Sequence, residues 1–421
     1  MSKNRRFLPR LVYADASGQI YDHPALSMLC RKGLDIVPPR PDECIPLPPG
    51  SDLFLLPGRP ALGWDQETGT IVQTEGLAVA AFVCPGYTLS GLTAYASLED
   101  QCPLPLFAYG AVGFAHGRFY LCARKVDEDP RQDFSRISPK AIQRGTRQLL
   151  HMYPENRLVR HLTNCALTSG CPAAKNLALG RYEAPLPAAR TCNSACVGCI
   201  SKQDAQSGFP ATQERISFRP SPGEIAQIMH HHAGQESRPI FSFGQGCEGE
   251  PLTETELITE AISSFRDQGG RGTVNINTNA SRPESIPALA RAGLTSIRVS
   301  LNSAREEAYT AYYRPLSYAF AHVLDCIRAA KEHHLFVSLN FLYFPGVSDL
   351  EVEYQALSHL IRRTGVDFIQ WRNLNLDPEL YLDLMPQADS PAMGLKNLLK
   401  RLKTDFPGLG FGYFNPYLEP G

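Results

Sequence analysis

The chain has 421 residues, more than one hydrophobic core usually holds, so two domains are expected. Apolar residues make up 43%, and 41 Lys plus Arg balance 42 Asp plus Glu for a net charge of −1. That balance excludes a broad electrostatic footprint for a nucleic-acid backbone, and the longest apolar run, Leu77–Cys84, is far too short to span a bilayer. The basic start, Met1–Arg6, leads into no apolar stretch, so no signal peptide is expected. Twelve cysteines without a secretion signal then point to reduced thiols and a cytoplasmic location.

Residues 1–185 are rich in proline (Pro38, Pro39, Pro41, Pro46, Pro48, Pro49) and in glycine turns. Short β-type runs at Asp52–Leu56, Leu77–Val83 and Arg118–Leu121, with a helix at Pro139–Met152, predict a β-rich α+β domain. Cys165 and Cys171 follow; packed free thiols are expected, with a second cluster shared with Cys84, Cys102 or Cys122 as the alternative. Residues 186–375 alternate strand-like runs with helical stretches, and strands are predicted near 186–191, 239–244, 273–278, 296–301, 336–343 and 367–372. Five S/T-x-x-E pairs (Ser221/Glu224, Thr253/Glu256, Ser281/Glu284, Ser303/Glu306, Ser348/Glu351) stand where capping boxes would open the helices. Several strands alternate: Ile297, Val299 and Leu301 oppose Arg298, Ser300 and Asn302, and Val337, Leu339 and Phe341 oppose Ser338 and Asn340. One apolar and one polar face suits a barrel whose lumen holds a polar ligand, with functional residues at the C-terminal strand ends. His230-His231-His232 ends a predicted helix, where consecutive residues point apart, so a metal site there is not expected. In residues 376–421, a helix near Met393–Lys403 and a strand near Phe411–Phe414 are expected to close the barrel's open edge.

Three thiols stand in eight residues, Cys192-Asn193-Ser194-Ala195-Cys196-Val197-Gly198-Cys199, spaced C-x3-C-x2-C. Thiolates select iron–sulfur clusters, zinc or copper(I). Structural zinc sites are usually built from paired C-x2-C units, and no second close pair follows here. Electron-carrier clusters use four cysteines, so a lone triplet suits three corners of a cubic [4Fe–4S] cluster with one iron open to a small molecule. Phe243-Gly244-Gln245-Gly246-Cys247-Glu248-Gly249-Glu250-Pro251 follows, then Ile276–Asn279, Val299–Asn302 and Leu339-Asn340. In this order the motifs resemble those of the radical S-adenosylmethionine (SAM) enzymes, over roughly residues 186–375. The resemblance implies a partial (β/α)6 barrel of radical SAM type. One residue departs from the family: the position before the third cysteine is usually aromatic and is Gly198 here.

The resemblance assigns Cys192, Cys196 and Cys199 to the cluster and Glu250 to the SAM ammonium, with Gly244, Gly246 and Gly249 letting the backbone approach. It gives Ser300 and Asn302, with Asn279 and Asn340, contacts to SAM hydroxyl or carboxylate groups, against the alternative of lumen side chains bonding one another. Arg314 and Arg372 could fork a carboxylate or be ordinary ion-pair partners. Glu250 has a solvated turn carboxylate as its alternative reading, Glu248 is a weaker candidate with plain exposure as the alternative, and Cys247 reads as a small packed hydrophobe, against substrate contact, hydrogen donation or metal ligation. The implied activity is reductive SAM cleavage to a 5′-deoxyadenosyl radical that abstracts hydrogen from a peptide, protein or small-metabolite substrate. Electrons would come from a donor such as flavodoxin or ferredoxin. The rival readings are a non-catalytic iron–sulfur sensor or scaffold and a zinc-stabilised binding module. Only Cys247 and Cys326 follow the triplet, so no cysteine-rich C-terminal extension for auxiliary clusters is expected.

Overall fold

The computed structural model describes residues 8–98, 101–129, 134 and 137–418; Met1–Arg6, with its basic character, lies outside them. The first part of the chain is a wholly antiparallel sheet. Its strands are β1 (Arg10–Ala14), β2 (Ile20–Met28), β3 (Cys30–Lys32), β4 (Asp35–Val37), β5 (Cys44–Pro46), β6 (Asp52–Asp65), β7 (Thr70–Phe82), β8 (Tyr87–Leu89), β9 (Leu92–Thr93), β10 (Gly110–Ala115) and β11 (Arg118–Lys125). β10 organises it, pairing with β1, β7, β9 and β11, while β11 also carries β5 and β8. Three helices follow: α1 (Pro139–Met152), α2 (Arg157–Leu167) and α3 (Pro172–Ala178). Each starts where its sequence directs. Ser138 and Asn156 accept from the third backbone N–H of α1 and α2, and Pro139 and Pro172 fill first-turn positions that need no donor.

A parallel sheet of seven strands comes next, in simple sequential order: β12 (Glu183–Pro185), β13 (Ile240–Phe243), β14 (Thr273–Thr278), β15 (Ser296–Leu301), β16 (Phe336–Tyr343), β17 (Phe368–Asn373) and β18 (Gly410–Gly412). The helices between them are α4 (Pro222–Ala233), α5 (Thr255–Asp267), α6 (Ile286–Ala292), α7 (Glu306–Tyr313), α8 (Phe320–Glu332), α9 (Glu351–Thr364), α10 (Pro378–Leu384) and α11 (Leu395–Asp405). This is the curled partial βα barrel, and β18 adds a parallel strand to the β17 edge. The apolar positions of the alternating strands, Val274, Ile276, Ile297, Val299, Val337 and Leu339, are fully buried in one continuous core. No helix among the described residues is long and apolar enough to cross a membrane.

The barrel departs from the sequence-based expectation in two places. The first strand is Glu183–Pro185, not 186–191. The backbone N–H groups of Ala188 and Ala189 are taken at 2.8 and 2.9 Å by the carboxylate of Glu248, which removes them from any ladder. Of the five proposed capping boxes, Ser221/Glu224 forms. The others do not, because the helices begin elsewhere, α5 after Glu254, α7 after Arg305 and α9 after Leu350, while Thr253 donates to the Glu250 carbonyl, Ser281 accepts from Asn193, Ser303 donates to Glu353, and Ser348 accepts from Phe344 N–H.

The antiparallel sheet is laid against the C-terminal ends of β16 and β17. Thr88 Oγ1 donates to the Trp371 carbonyl, and Asn373 clamps β8 through Leu89 N–H and the Tyr87 carbonyl. Gly33 N–H donates to the Pro345 carbonyl at 2.7 Å. One part of the chain therefore flanks the end of the barrel from which the other part's loops project.

Candidate active site: the three-thiol loop and the Gly-Glu-Pro loop

The cysteine loop leaves the top of β12, and its three thiols are all partly exposed. It is held by backbone bonds to the end of α7: Ala195 N–H to the Arg314 carbonyl, Val197 N–H to the Tyr312 carbonyl, and Leu316 N–H to the Asn193 carbonyl. Ser194 Oγ meets Tyr318 Oη at 2.8 Å, which in turn meets Tyr309 Oη at 2.9 Å. Burial pushes the Cys192 and Cys196 thiols up, with Glu250 the next contributor at Cys192 and the other two thiols the next at Cys196. The three sulfurs are thus close enough to feel one another's charge. Arg215 donates to Cys199 Sγ at 3.5 Å and to Ser201 Oγ at 3.0 Å, placing a cation beside the thiols. Three partly exposed cysteines on one loop with an adjacent guanidinium fit a cubic cluster with one free iron.

Gly198 has a spatial reason. A Cβ there would collide with the hydroxyl of Tyr312, which reaches in from α7. An aromatic side chain from another element occupies the space that a side chain at 198 would need.

The Gly-Glu-Pro loop zips onto the segment just before Cys192. Gly249 N–H donates to the Ala189 carbonyl and Glu250 N–H to the Thr191 carbonyl. A side chain at 249 would overlap the Thr191 carbonyl, so the close approach demands glycine there. Gly244, at φ 76°, turns the chain out of β13, and Gly246 lies against Ile200 and Gln213. Glu250 is buried with both oxygens engaged. Oε1 accepts from Leu252 N–H (3.0 Å) and Thr278 Oγ1 (2.6 Å), and Oε2 accepts from Asn279 N–H (2.8 Å). Burial pushes its carboxyl up to about 7 against those donors. Asn279 joins the two loops: its amide donates to Asn193 Oδ1 at 2.8 Å and Ser194 Oγ at 3.1 Å.

Other expected site residues fall differently. Glu248 is buried, not exposed; it accepts from Ala188, Ala189 and Gln245 N–H and so fixes the entry to the cysteine loop. Asn302 is committed to the helices, donating to the Ala308 carbonyl and Tyr381 Oη, because β15 ends at Leu301 and the alternation ends with it. Arg314 is exposed, and its left-handed backbone (φ 46°) closes α7; it offers the cysteine loop its carbonyl. Arg372 donates to the Tyr413 carbonyl and lies over that ring at 4.1 Å. Ser300 and Asn340 are register partners on β15 and β16, partly exposed, and Asn340 Oδ1 has no hydrogen-bond partner. Lower in the lumen the polar face bonds itself. Glu183, Ser242, Asn275, Asn415, Gln370 and Arg298 form one network.

Cys165 does not pair with Cys171. Its thiol lies 3.6 Å from His161 Nε2 and against Cys247 of the Gly-Glu-Pro loop. The sequence reading missed His161, although His161 and Cys165 are spaced i, i+4 on a helix and so share a face. The histidine run behaves as expected: His231 meets Tyr153, His232 meets the Tyr182 carbonyl, and His230 packs on Phe265.

Residues 186–354 match the family model described as the radical SAM superfamily. No curated protein matches the chain. Similar solved structures include HydG, a maturase of the [FeFe]-hydrogenase, at 15% identity, with 67% of this chain and 67% of that one covered and a TM-score of 0.40. A radical SAM methyltransferase from Sphaerobacter thermophilus has 15% identity, coverage of 55% and 65%, and a TM-score of 0.36. The coproporphyrinogen III oxidase HemN of Escherichia coli, described as a radical SAM enzyme, has 12% identity, coverage of 53% and 52%, and a TM-score of 0.36. The chain spans between about half and two thirds of the length of these structures.

Proposed function

Residues 186–354 belong to the radical SAM superfamily, an enzyme family that works with a [4Fe–4S] cluster and SAM, and from that premise we propose that this chain cleaves SAM reductively to activate a substrate held at the mouth of its barrel. The observation that carries the reading is the joining of the three-thiol loop to the buried Glu250 through Asn279. A sensor or a zinc module has no use for a buried carboxylate tied to its thiols. When bound, the cluster and SAM supply the electron transfer and hydrogen abstraction; the protein supplies binding, orientation and exclusion of water.

In this proposal Cys192, Cys196 and Cys199 ligate three irons, and Arg215 offsets the negative charge of the thiolates. Glu250 accepts from the SAM ammonium with the lone pairs its three donors leave free, while Gly244, Gly246 and Gly249 let the loop backbone come close. Ser300 and Asn340, with an acceptor to spare on Asn340, take hydroxyl or carboxylate groups of SAM. Asn302 acts at one remove, holding α7, and Arg314 acts through its carbonyl. The substrate, a peptide, protein or small metabolite, meets the antiparallel sheet where it flanks β16 and β17, and a flavodoxin or ferredoxin of a reducing cytoplasm delivers electrons on the open side of the cysteine loop.

The test is anaerobic reconstitution with iron and sulfide, followed by SAM and a strong reductant. About four irons per chain, the count of one cubic cluster, and release of methionine are expected. A protein that holds no iron, or holds it and leaves SAM intact, would overturn the proposal.

A further inference from the structure

Outside the cluster site, one group of ligand atoms converges among the described residues. His161 Nε2 and Cys165 Sγ on α2, and Cys247 Sγ on the Gly-Glu-Pro loop, all lie within 4.8 Å of one another. The two cysteines are buried, at 6% and 2% exposure, and His161 is half-buried. Cys171 packs against the same small apolar cluster, and its N–H donates to the Cys165 carbonyl, but its thiol is not among the converging atoms.

We infer that His161, Cys165 and Cys247 form a binding site for one soft divalent cation of the zinc class. The geometry fits a single ion. With Zn–S near 2.3 Å and Zn–N near 2.0–2.1 Å, tetrahedral angles place sulfur and nitrogen about 3.6 Å apart. The Cys165 Sγ to His161 Nε2 distance is 3.6 Å. A cubic cluster sets each thiolate on a separate iron and so spreads its ligands farther than ligands sharing one ion. Two thiolates with one imidazole are donors that zinc prefers, and three protein ligands leave the fourth tetrahedral position to a small molecule. Binding expels the thiol protons to solvent as the thiolates form.

The location gives the site a purpose. Cys247 stands three residues before Glu250, and its carbonyl accepts from Ile216 N–H at 2.8 Å. An ion there would clamp α2, which precedes the barrel, to the loop proposed to grip SAM. The imidazole's place is fixed from the other side by an edge-on contact with Phe218. Nothing in this site depends on the cluster ligands, so the two assignments can fail separately.

The experiment is zinc and iron analysis of the anaerobically purified protein, with zinc supplied in the growth medium. About one zinc per chain is expected, the stoichiometry of a single-ion site. The Cys165→Ser/Cys247→Ser double variant should fall below about a tenth of that, with iron retained. The triple variant Cys192→Ala/Cys196→Ala/Cys199→Ala should show the reverse, zinc kept and iron lost. Should the double variant fold poorly, cobalt(II) added to that cluster-free triple variant gives a second readout. A thiolate-to-cobalt absorption band that weakens on adding His161→Gln supports the site. Wild-type protein without zinc, zinc that persists in the double variant, zinc that disappears with the triplet, or a Cys165–Cys247 disulfide in the native mass spectrum would each overturn it.

Discussion

The chain contains two trios of cysteines in opposite settings. Cys30, Cys44 and Cys122 lie on three strands of the antiparallel sheet, where Cys122 and Cys44 are cross-strand partners and Cys30 and Cys122 are fully buried. Gly91 packs so tightly against them that a Cβ there would strike Cys30 and Cys122. Cys192, Cys196 and Cys199 lie on a loop, partly exposed, with a guanidinium at hand. The first trio is close together because strands pack; the second because a loop is pinned at both ends by α7 and the Gly-Glu-Pro segment. Proximity of thiols alone therefore says little. Access and a compensating charge set the Cys192–Cys199 loop apart from that packed core, and an imidazole among the thiols does the same for Cys165 and Cys247.

The sharpest way to break this contrast is to truncate each trio. Cys192→Ala, Cys196→Ala and Cys199→Ala should each remove most of the iron and abolish SAM cleavage, because a cluster already short of one protein ligand tolerates little further loss. Cys30→Ala and Cys122→Ala should keep full iron and cost about 1 kcal/mol of stability, the typical effect of a point change. Iron analysis and thermal melts on the five proteins decide it. Loss of iron on changing Cys122, or its retention on changing Cys196, would erase the distinction.

Glu250→Ala comes next in size. The proposed bond to an ammonium is charge-assisted and accounts for about 1.5–3 kcal/mol, so SAM affinity should fall by roughly 10- to 150-fold while most of the cluster stays. Glu250→Gln should rescue little. Each carboxylate oxygen faces a backbone N–H, from Leu252 on one side and Asn279 on the other. The amide nitrogen of glutamine would therefore meet a donor in either orientation. Calorimetric titration with SAM tests both variants. Wild-type affinity in Glu250→Gln would show that the carboxylate is not the group gripped.

The barrel was legible because its signals are local. The strand cores over 273–278, 296–301 and 336–343 and their buried faces follow from alternation within a few residues. The cysteine triplet and the glycine loop could be read for the same reason. The capping boxes were misread because a hydroxyl can bond any donor or acceptor in reach: Thr253 and Ser303 donate to nearby oxygens, and Ser281 and Ser348 accept from other donors. Glu248 was misjudged because its three donors lie on two segments about 60 residues apart in the chain. The meeting of His161 and Cys165 with Cys247 was likewise hidden. Two of its three members are an i, i+4 helical pair, but no pattern states which loop will cover it. The antiparallel sheet was the least legible part, since its register comes from pairings such as β1 with β10 that span most of the domain.

Tyr312 offers a finer probe of the cysteine loop. Gly198→Phe should collide with the Tyr312 hydroxyl, distort the loop and lower iron retention. Overpacking of this kind typically costs about 1–3 kcal/mol. Adding Tyr312→Ala should recover part of the loss by opening the same space. If Gly198→Phe alone holds iron like the wild type, the crowding read between these two residues does not govern the loop.

The smallest effect concerns the latch between the two parts of the chain, Arg157 on α2 and Glu224 on α4. Glu224 completes the capping box with Ser221 and accepts from the Arg157 guanidinium at 2.7 Å and from Arg157 N–H at 2.8 Å. Burial works against the charge, but the Arg157 side chain and the Ser221 and Arg157 N–H groups prevail and hold the carboxyl down at about 2. Its folded value lies below the unfolded one, so the latch contributes its full stability above about pH 4.5 and loses it as pH falls toward 2. The arginine is half exposed, so solvent screens the pair and its contribution is small. Glu224→Gln should therefore destabilise the protein modestly at pH 7, and its melting temperature should converge with that of the wild type as pH approaches 2–3. Parallel curves at every pH would show that the carboxylate's charge contributes nothing to the latch, leaving only its shape to pack the start of α4.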